Sequence, residues 1–159
     1  MEEKELFEKL LNKAYHLLSF RPRAEAEIRR RLGKITKEEA LIDKAVAKLK
    51  DLNYLNEEEF VRRWQEDRQT FKPKGIKLIK LELQRLGVEK ETIDKVLNDK
   101  NRISFSQVEL ATRALQKKIL LYKNLPKREF KQKLSQFLAR RGFDWETIET
   151  AVKGTEDNQ

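Results

Sequence analysis

Sliding the chain along itself by 51 residues lays Phe20-Arg-Pro-Arg23 over Phe71-Lys-Pro-Lys74 without a gap. The same shift superposes Ile28 on Ile79, Leu32 on Leu83, Ile35 on Leu86 and Ile42-Asp-Lys44 on Ile93-Asp-Lys95. A second shift, of 55, sets Leu83 on Leu138, Arg85 on Arg140, Gly87 on Gly142 and Glu91-Thr-Ile93 on Glu146-Thr-Ile148. Chance matches a few apolar positions between helical sequences, but not prolines, a glycine and polar triplets together. The chain therefore reads as three copies of one element, and a repeat at this period constrains the fold before anything else does. Units of about 50 residues bury too little surface to stand alone, so neighbours have to pack on one another. Pro126 meets Pro73 only after a two-residue gap, which makes the third copy the most divergent.

Each copy is expected to be helical. Charged residues make up 40% of the chain, there are only 5 Gly and 3 Pro, and helix-favouring side chains dominate. The apolar spacing is that of helices in Leu6, Leu10, Ala14 and Leu17, in Phe60, Trp64 and Phe71, and in Ile76, Ile79, Leu83 and Leu86. No comparable segment alternates with period two. Helix starts are marked by Thr36 with Glu39, Asn56 with Glu59 and Ser106 with Glu109, each spaced as a capping box, and Asp144 is placed to cap the last helix. Stops are marked by Gly87-Val88 and Gly142-Phe143, where a left-handed glycine lets an apolar residue fold back. The basic-Pro-basic segment ends one helix, and the fixed proline dihedral suits the start of the next.

The expected fold is all-α: three tandem three-helix repeats in an elongated array that is able to curve. The repeats are placed at 1–55, 56–100 and 101–153, with a frayed polar tail at 154–159. The seams are expected at Lys50–Glu58 and Asn98–Ser106.

The net charge of +9 is unevenly spread: Arg21–Lys34 carries +4, Lys72–Leu86 +4 and Gln116–Arg141 +8, so the remainder is acidic. Basic blocks of this kind attract polyanions, either nucleic acid or an acidic protein face.

Nothing in the chain assembles a catalytic or metal site. Its one histidine, His16, sits among Ala14, Tyr15, Leu17 and Leu18, and the absence of Cys removes disulfides and thiolate ligands. Glu57, Glu58 and Glu59 fall where a helix start favours negative charge. The glycines are too scattered to cradle a phosphate. No cofactor or metal is expected, and the chain is expected to act by binding, not as an enzyme. The start lacks the basic and then apolar pattern of a secretory signal, and no apolar run approaches the length of a membrane span, so a cytoplasmic protein with no membrane role is expected.

The most distinctive stretch is LNYLNEEEFVRRWQEDR from Leu52 to Arg68, followed by FKPKGIKLIKLELQRLGV from Phe71 to Val88. Phe60, Trp64 and Arg68 are four residues apart on one helix face, so ring and guanidinium can stack, with Asp67 as a neighbouring carboxylate. These motifs, with Ile93–Leu97, AEAEIRRRL at Ala24–Leu32 and RRGFDWETI at Arg140–Ile148, resemble the RecX regulators of the bacterial recombinase RecA. The resemblance covers most of the chain and is loosest in the third repeat.

The resemblance implies a modulator lodged along the helical groove of the RecA filament on single-stranded DNA. It would restrain ATP hydrolysis, strand exchange and co-protease action, and so affect recombination, repair and the SOS response. The chain is expected to act there as a monomer. Candidate contacts to RecA or DNA are Arg63, Arg68, Lys72, Lys74, Lys77, Lys80 and Arg85 in the second repeat, and Lys127, Arg128, Lys131, Arg140 and Arg141 in the third. Arg29, Arg30 and Arg31 are a further possibility. Reversing Lys72, Lys74 and Lys77 together is expected to weaken binding and leave stability intact. Two other readings are a stand-alone basic helical DNA-binding protein and a helical adaptor for an acidic protein.

Overall fold

The structure, a computed structural model, describes residues 2–70, 72–99 and 106–156. Phe71, most of the expected second seam and the last three residues of the expected tail lie outside the described residues. Among the described residues there are nine helices and no strand: α1 (Glu3–Phe20), α2 (Glu25–Leu32), α3 (Glu39–Asp51), α4 (Glu57–Thr70), α5 (Ile76–Arg85), α6 (Lys90–Leu97), α7 (Gln107–Tyr122), α8 (Lys127–Arg140) and α9 (Trp145–Glu156). They fall in threes. Within the first triplet and within the last, each helix packs on the other two.

Most of the sequence punctuation is realised. The Asn56 side chain accepts from the Glu59 amide at 3.1 Å, Ser106 Oγ from the Glu109 amide at 3.1 Å, and Asp144 Oδ1 from the Thr147 amide at 2.8 Å. Gly87 and Gly142 have φ of 88° and 90°. Val88 and Phe143 fold back to donate to the carbonyls of Leu83 and Leu138, and both side chains are buried. That is the bond pattern of a Schellman stop.

Three expectations change. Thr36 does not cap α3: its Oγ1 accepts from the Glu38 amide two residues on, a local turn, and the residue preceding the helix is Glu38. Pro22 and Pro73 do not open the next helix either, because α2 and α5 begin three residues later, at Glu25 and Ile76. The tail is shorter than expected, since α9 continues to Glu156. Thr155 is buried there with its hydroxyl bonded to the Val152 carbonyl, and Glu156 is ion-paired with Lys131.

By contact the chain divides into two compact units, one comprising Met1–Arg62 with Leu83–Val96, the other Arg63–Glu82 with Leu97–Gln159. The boundary passes through α4 and α5, so each unit takes part of the second repeat. In the first unit the core gathers Leu10, Ala14, Ile28, Leu32, Val46 and Leu49 around the α1–α3 triplet. In the second, Ala111, Leu115, Leu134, Leu138, Ile148 and Val152 lie in the core of α7–α9. Spacings of three and four put these residues on one stripe of each helix, as the sequence pattern requires.

The same joint occurs once in each unit. Neither α2 nor α5 begins with a capping side chain of its own: Ala24 and Gly75 precede them. In the first unit Glu57, the first residue of α4, reaches across to accept the Glu25 amide at 2.8 Å. In the second unit Gln107, the first residue of α7, accepts the Ile76 amide at 3.0 Å. Each repeat therefore caps the second helix of the repeat before it, satisfying one of the orphan donors a helix start leaves. The glycine stops take part as well. A Cβ on Gly87 would lie 2.5 Å from Ala26 Cβ, and one on Gly142 would lie 2.7 Å from the Leu78 amide nitrogen. The close approach of successive repeats needs glycine at those positions.

The two caps differ in charge, and this is testable. Burial raises the Glu57 carboxyl above its ordinary value; the Glu25 amide pulls it down, Glu25 and Glu89 add to the rise, and Lys50 opposes it. A carboxyl with a raised folded-state pKa costs stability while ionised, and the cost vanishes as pH falls through that value toward the unfolded one of about 4.3. Glu57→Gln keeps the accepting oxygen, as Gln107 does naturally. It is expected to raise the melting temperature slightly at neutral pH, with the advantage over the parent closing on acidification. A variant less stable than the parent at pH 7 would show that the charge itself is needed there.

Candidate functional site: the basic surface

The second basic-Pro-basic corner folds onto one carboxylate. Glu82 projects from α5, and its Oε2 accepts from Trp64 Nε1 at 2.9 Å and from Arg68 Nε at 2.9 Å, while its Oε1 accepts from Lys74 Nζ at 2.8 Å. The Arg68 guanidinium lies over the Trp64 ring, 4.1 Å from its centre. The stacking expected from the four-residue spacing is present, but the carboxylate is Glu82, not Asp67. Adjacent helical residues such as Asp67 and Arg68 do not face each other. Burial pushes the Glu82 carboxyl up, but the bonds from Lys74 and Arg68 outweigh it and hold the carboxyl below the ordinary range. Glu82 is the single acidic residue between Lys72 and Leu86, and that lone acid was the sequence signal for this clamp.

The first corner is closed in the same manner by another acid. Glu27 Oε2 takes Arg21 at 2.7 Å and Arg23 at 2.6 Å, and Arg23 Nε also donates to the Leu17 carbonyl at 3.0 Å. Arg29 is held by Glu25 at 3.2 Å and Asp43 at 2.6 Å. Of the three arginines considered in this repeat, Arg29 is thus engaged, Arg31 is half-buried and Arg30 is exposed.

The twelve candidate cations accordingly separate. Arg68 and Lys74 are bound to Glu82, and Lys131 to Glu156. Arg141 is half-buried with its guanidinium 4.9 Å from the centre of the Phe137 ring, and its Nη1 donates to the Pro73 carbonyl at 3.4 Å. Arg63 and Lys80 also have partners within the chain. Lys72, Lys77, Lys127, Arg128 and Arg140 in the second unit, and Arg85 in the first, are exposed and make no hydrogen bond or ion pair among the described residues. Lys77 feels the charge of Asp144, whose carboxyl is lowered chiefly by its bond from the Thr147 amide. Long cationic chains in this setting are available to an incoming polyanion, whereas those bonded to Glu82 are first of all structural.

Lys74 therefore does not belong with Lys72 and Lys77 in a charge reversal that spares the fold. Reversing Lys74 would set a second carboxylate against Glu82 and disturb the corner. Lys72 and Lys77 are the separable pair.

His16 is exposed on α1, edge-on to Phe20. Among the described residues no group of three His, Cys, Asp or Glu side chains could hold a metal ion, and no helix is long and apolar enough to cross a membrane.

Three family models match in chain order: RecX, first three-helix domain, over residues 11–49; RecX, second three-helix domain, over 56–97; and RecX, third three-helix domain, over 106–152. The regulatory protein RecX of Chlorobaculum tepidum is 34% identical over 143 residues, covering 90% of this chain and 86% of that protein. The regulatory protein RecX of Bacillus velezensis is 30% identical over 149 residues, covering 93% of this chain but 56% of its own length, so the chain spans little more than half of that relative. The crystal structure of RecX from Lactobacillus salivarius superposes with a TM-score of 0.85, covering 96% of this chain and 98% of that one at 23% identity. A second crystal structure, of regulatory protein RecX, gives 0.78 over 93% and 73% of the two chains, also at 23% identity. At that identity the structures speak for the fold. The family models, one for each successive helical triplet, and the Chlorobaculum relative place this chain in the RecX family of regulatory proteins.

Proposed function

We propose that this chain regulates the recombinase RecA by binding the RecA filament on single-stranded DNA and restraining its ATPase, strand-exchange and co-protease activities. By that route it affects recombination, DNA repair and the SOS response. It works as a monomer in the cytoplasm, by binding alone. The observation that carries the reading is the membership of all three helical triplets in a family whose members are named regulatory proteins, joined to the resemblance of its central motif to regulators of RecA. The exposed cations Lys72, Lys77, Lys127, Arg128 and Arg140 support it, because both filament-bound DNA and acidic protein surface attract them.

The deciding experiment adds the protein to RecA on single-stranded DNA and follows ATP hydrolysis. Progressive loss of hydrolysis as the protein approaches saturation is expected. Unchanged hydrolysis at saturating ratios would remove the reading, and salt-sensitive binding to naked DNA that RecA does not alter would favour a stand-alone DNA-binding protein. Within the assay, Lys72→Glu with Lys77→Glu is expected to weaken inhibition by roughly tenfold at moderate salt, through two lost ionic contacts. Its melting temperature should stay close to the parent's, since neither side chain makes a hydrogen bond or ion pair among the described residues and Lys77 gives up only its charge attraction to the exposed Asp144. Full inhibition by the double variant would move the contact off this corner.

A further inference from the structure

Carried through the two repeat shifts of 51 and 55, Glu25, Ala26, Arg29 and Lys50 of the first repeat fall on Lys131, Gln132, Ser135 and Glu156 of the third. In the first repeat these four line a concavity together with Glu57 and Gly87 of the next repeat, where Glu57 takes the Glu25 amide and Gly87 lies against Ala26. In the third, their four counterparts line a groove of about 480 Å³ between α8 and α9. The ion pair across the face recurs with its charges exchanged, Glu25 with Lys50 in the first repeat and Lys131 with Glu156 in the third. The groove is therefore the third repeat's stacking face, and it is open.

That face is not built to stay in water. Trp145 lines it at 70% exposure, at a position where the first two repeats carry Glu39 and Lys90, and Val152 follows on the same side of α9. An outer repeat needs a polar face to remain soluble alone, and an indole in water forfeits the stabilisation that burial would bring.

The charge of the lining decides what can cover it. Its two cations and two carboxylates pair with each other, Lys131 with Glu156 and Lys153 with Glu149 at 3.7 Å. The patch is electrically balanced in a chain of net charge +9. Two copies of such a chain repel one another over their basic segments, and here they can meet without like charges opposed. A polyanion finds both cations of the patch already engaged. Head-to-tail stacking of copies is not available either. The first repeat has Leu6 where the second has Glu57, and Thr36 where it has the left-handed Gly87, so it lacks both the cap and the turn that seat a following repeat. A groove that carries its own protruding indole is self-complementary instead, as a two-fold contact requires.

We propose that this face pairs with the same face of a second copy, the Trp145 indole of each chain entering the α8–α9 groove of the other. The dimer is a form of the free protein at high concentration. It goes beyond the filament reading, in which the monomer is the acting form.

The test is sedimentation velocity on the nuclease-treated full chain over roughly 1 to 300 μM, the range of weak reversible pairing. The mass should rise from one chain to two and stop there. Added salt should leave the dimer as strong or stronger, because it screens the repulsion between the basic segments. Trp145→Lys, which installs the second repeat's residue, should weaken pairing roughly tenfold or more, and Trp145→Phe should keep part of it. Gln132→Lys with Gln136→Lys charges the opposite wall and should weaken pairing by a similar factor, with partial recovery at high salt. All three side chains are exposed, so circular dichroism and melting of dilute samples should stay at parental values. A protein that stays monomeric across the range, growth beyond two chains, pairing that salt dissolves, or undiminished pairing in Trp145→Lys would each overturn the proposal.

Discussion

Gly75→Ala is expected to destabilise the second unit by about 3 kcal/mol or more, which lowers the melting temperature by roughly 10 °C for a chain of this size. Gly75 is buried, and its amide donates to the Arg141 carbonyl at 2.7 Å, so that the start of α5 lies directly against the turn that ends α8. A methyl group there would run into the Gly142 carbonyl and stand 2.5 Å from the Phe143 nitrogen. The obstruction is backbone on both sides, and no side chain can rotate to relieve it. Either the joint opens and the Gly75 amide loses its acceptor, at about 1–3 kcal/mol, or the turn after α8 is displaced and Phe143 with it. The control is Gly154→Ala in the same unit. A Cβ on Gly154 meets nothing within 4 Å, and the residue sits inside α9, so the same chemical change is expected to add about 0.5–1 kcal/mol through helix propensity. Paired thermal melts check both signs. A Gly75→Ala protein that melts with the parent would mean the two backbones do not approach this closely in solution.

That joint also marks where the sequence was legible and where it was not. Glycines 87 and 142 could be read as helix stops, because a left-handed residue followed by an apolar one leaves a local mark. Their second role, as the places where successive repeats touch, depends on partners 61 and 64 residues away, Ala26 and Leu78, and no local pattern encodes it. Glu57 and Gln107 illustrate the same limit. Each stands at the start of its own helix, where an acidic or amide side chain looks like an ordinary N-terminal residue, yet each caps the helix of the preceding repeat. Periodicity located the helices and their buried stripes, since burial is a one-dimensional signal on a helix. It could not separate the exposed cations from the engaged ones. Lys72 and Lys74 are two residues apart in the same motif, but only the second lies within reach of Glu82.

Removing that carboxylate is expected to produce the second large effect. Glu82→Ala leaves Arg68, Lys74 and the Trp64 indole without their common acceptor and places two cations side by side. Breaking a fully buried ion pair by deleting one partner costs about 3–5 kcal/mol. Here the Arg68 and Lys74 side chains retain 29% and 26% of their exposure, so water can replace part of what is lost, and about 2–3 kcal/mol is the expected figure. Glu82→Gln keeps an acceptor for the indole but not the charge, and should fall between the variant and the parent. The pH dependence separates the two components. Because the Glu82 carboxyl is held below its ordinary value, its charge stabilises the fold above the unfolded-state value of about 4.3, and that contribution is lost as pH falls through the lower folded-state value. The gap between parent and Glu82→Gln should therefore be full at neutral pH and close in acid, the opposite sense to Glu57→Gln, whose advantage is the one that closes. A gap that stays constant with pH would assign the effect to shape and hydrogen bonding, not to charge. Arg68 and Lys74 would then lose their reason for being treated as structural cations, and the corner as a whole would return to the set of surfaces open to a polyanion.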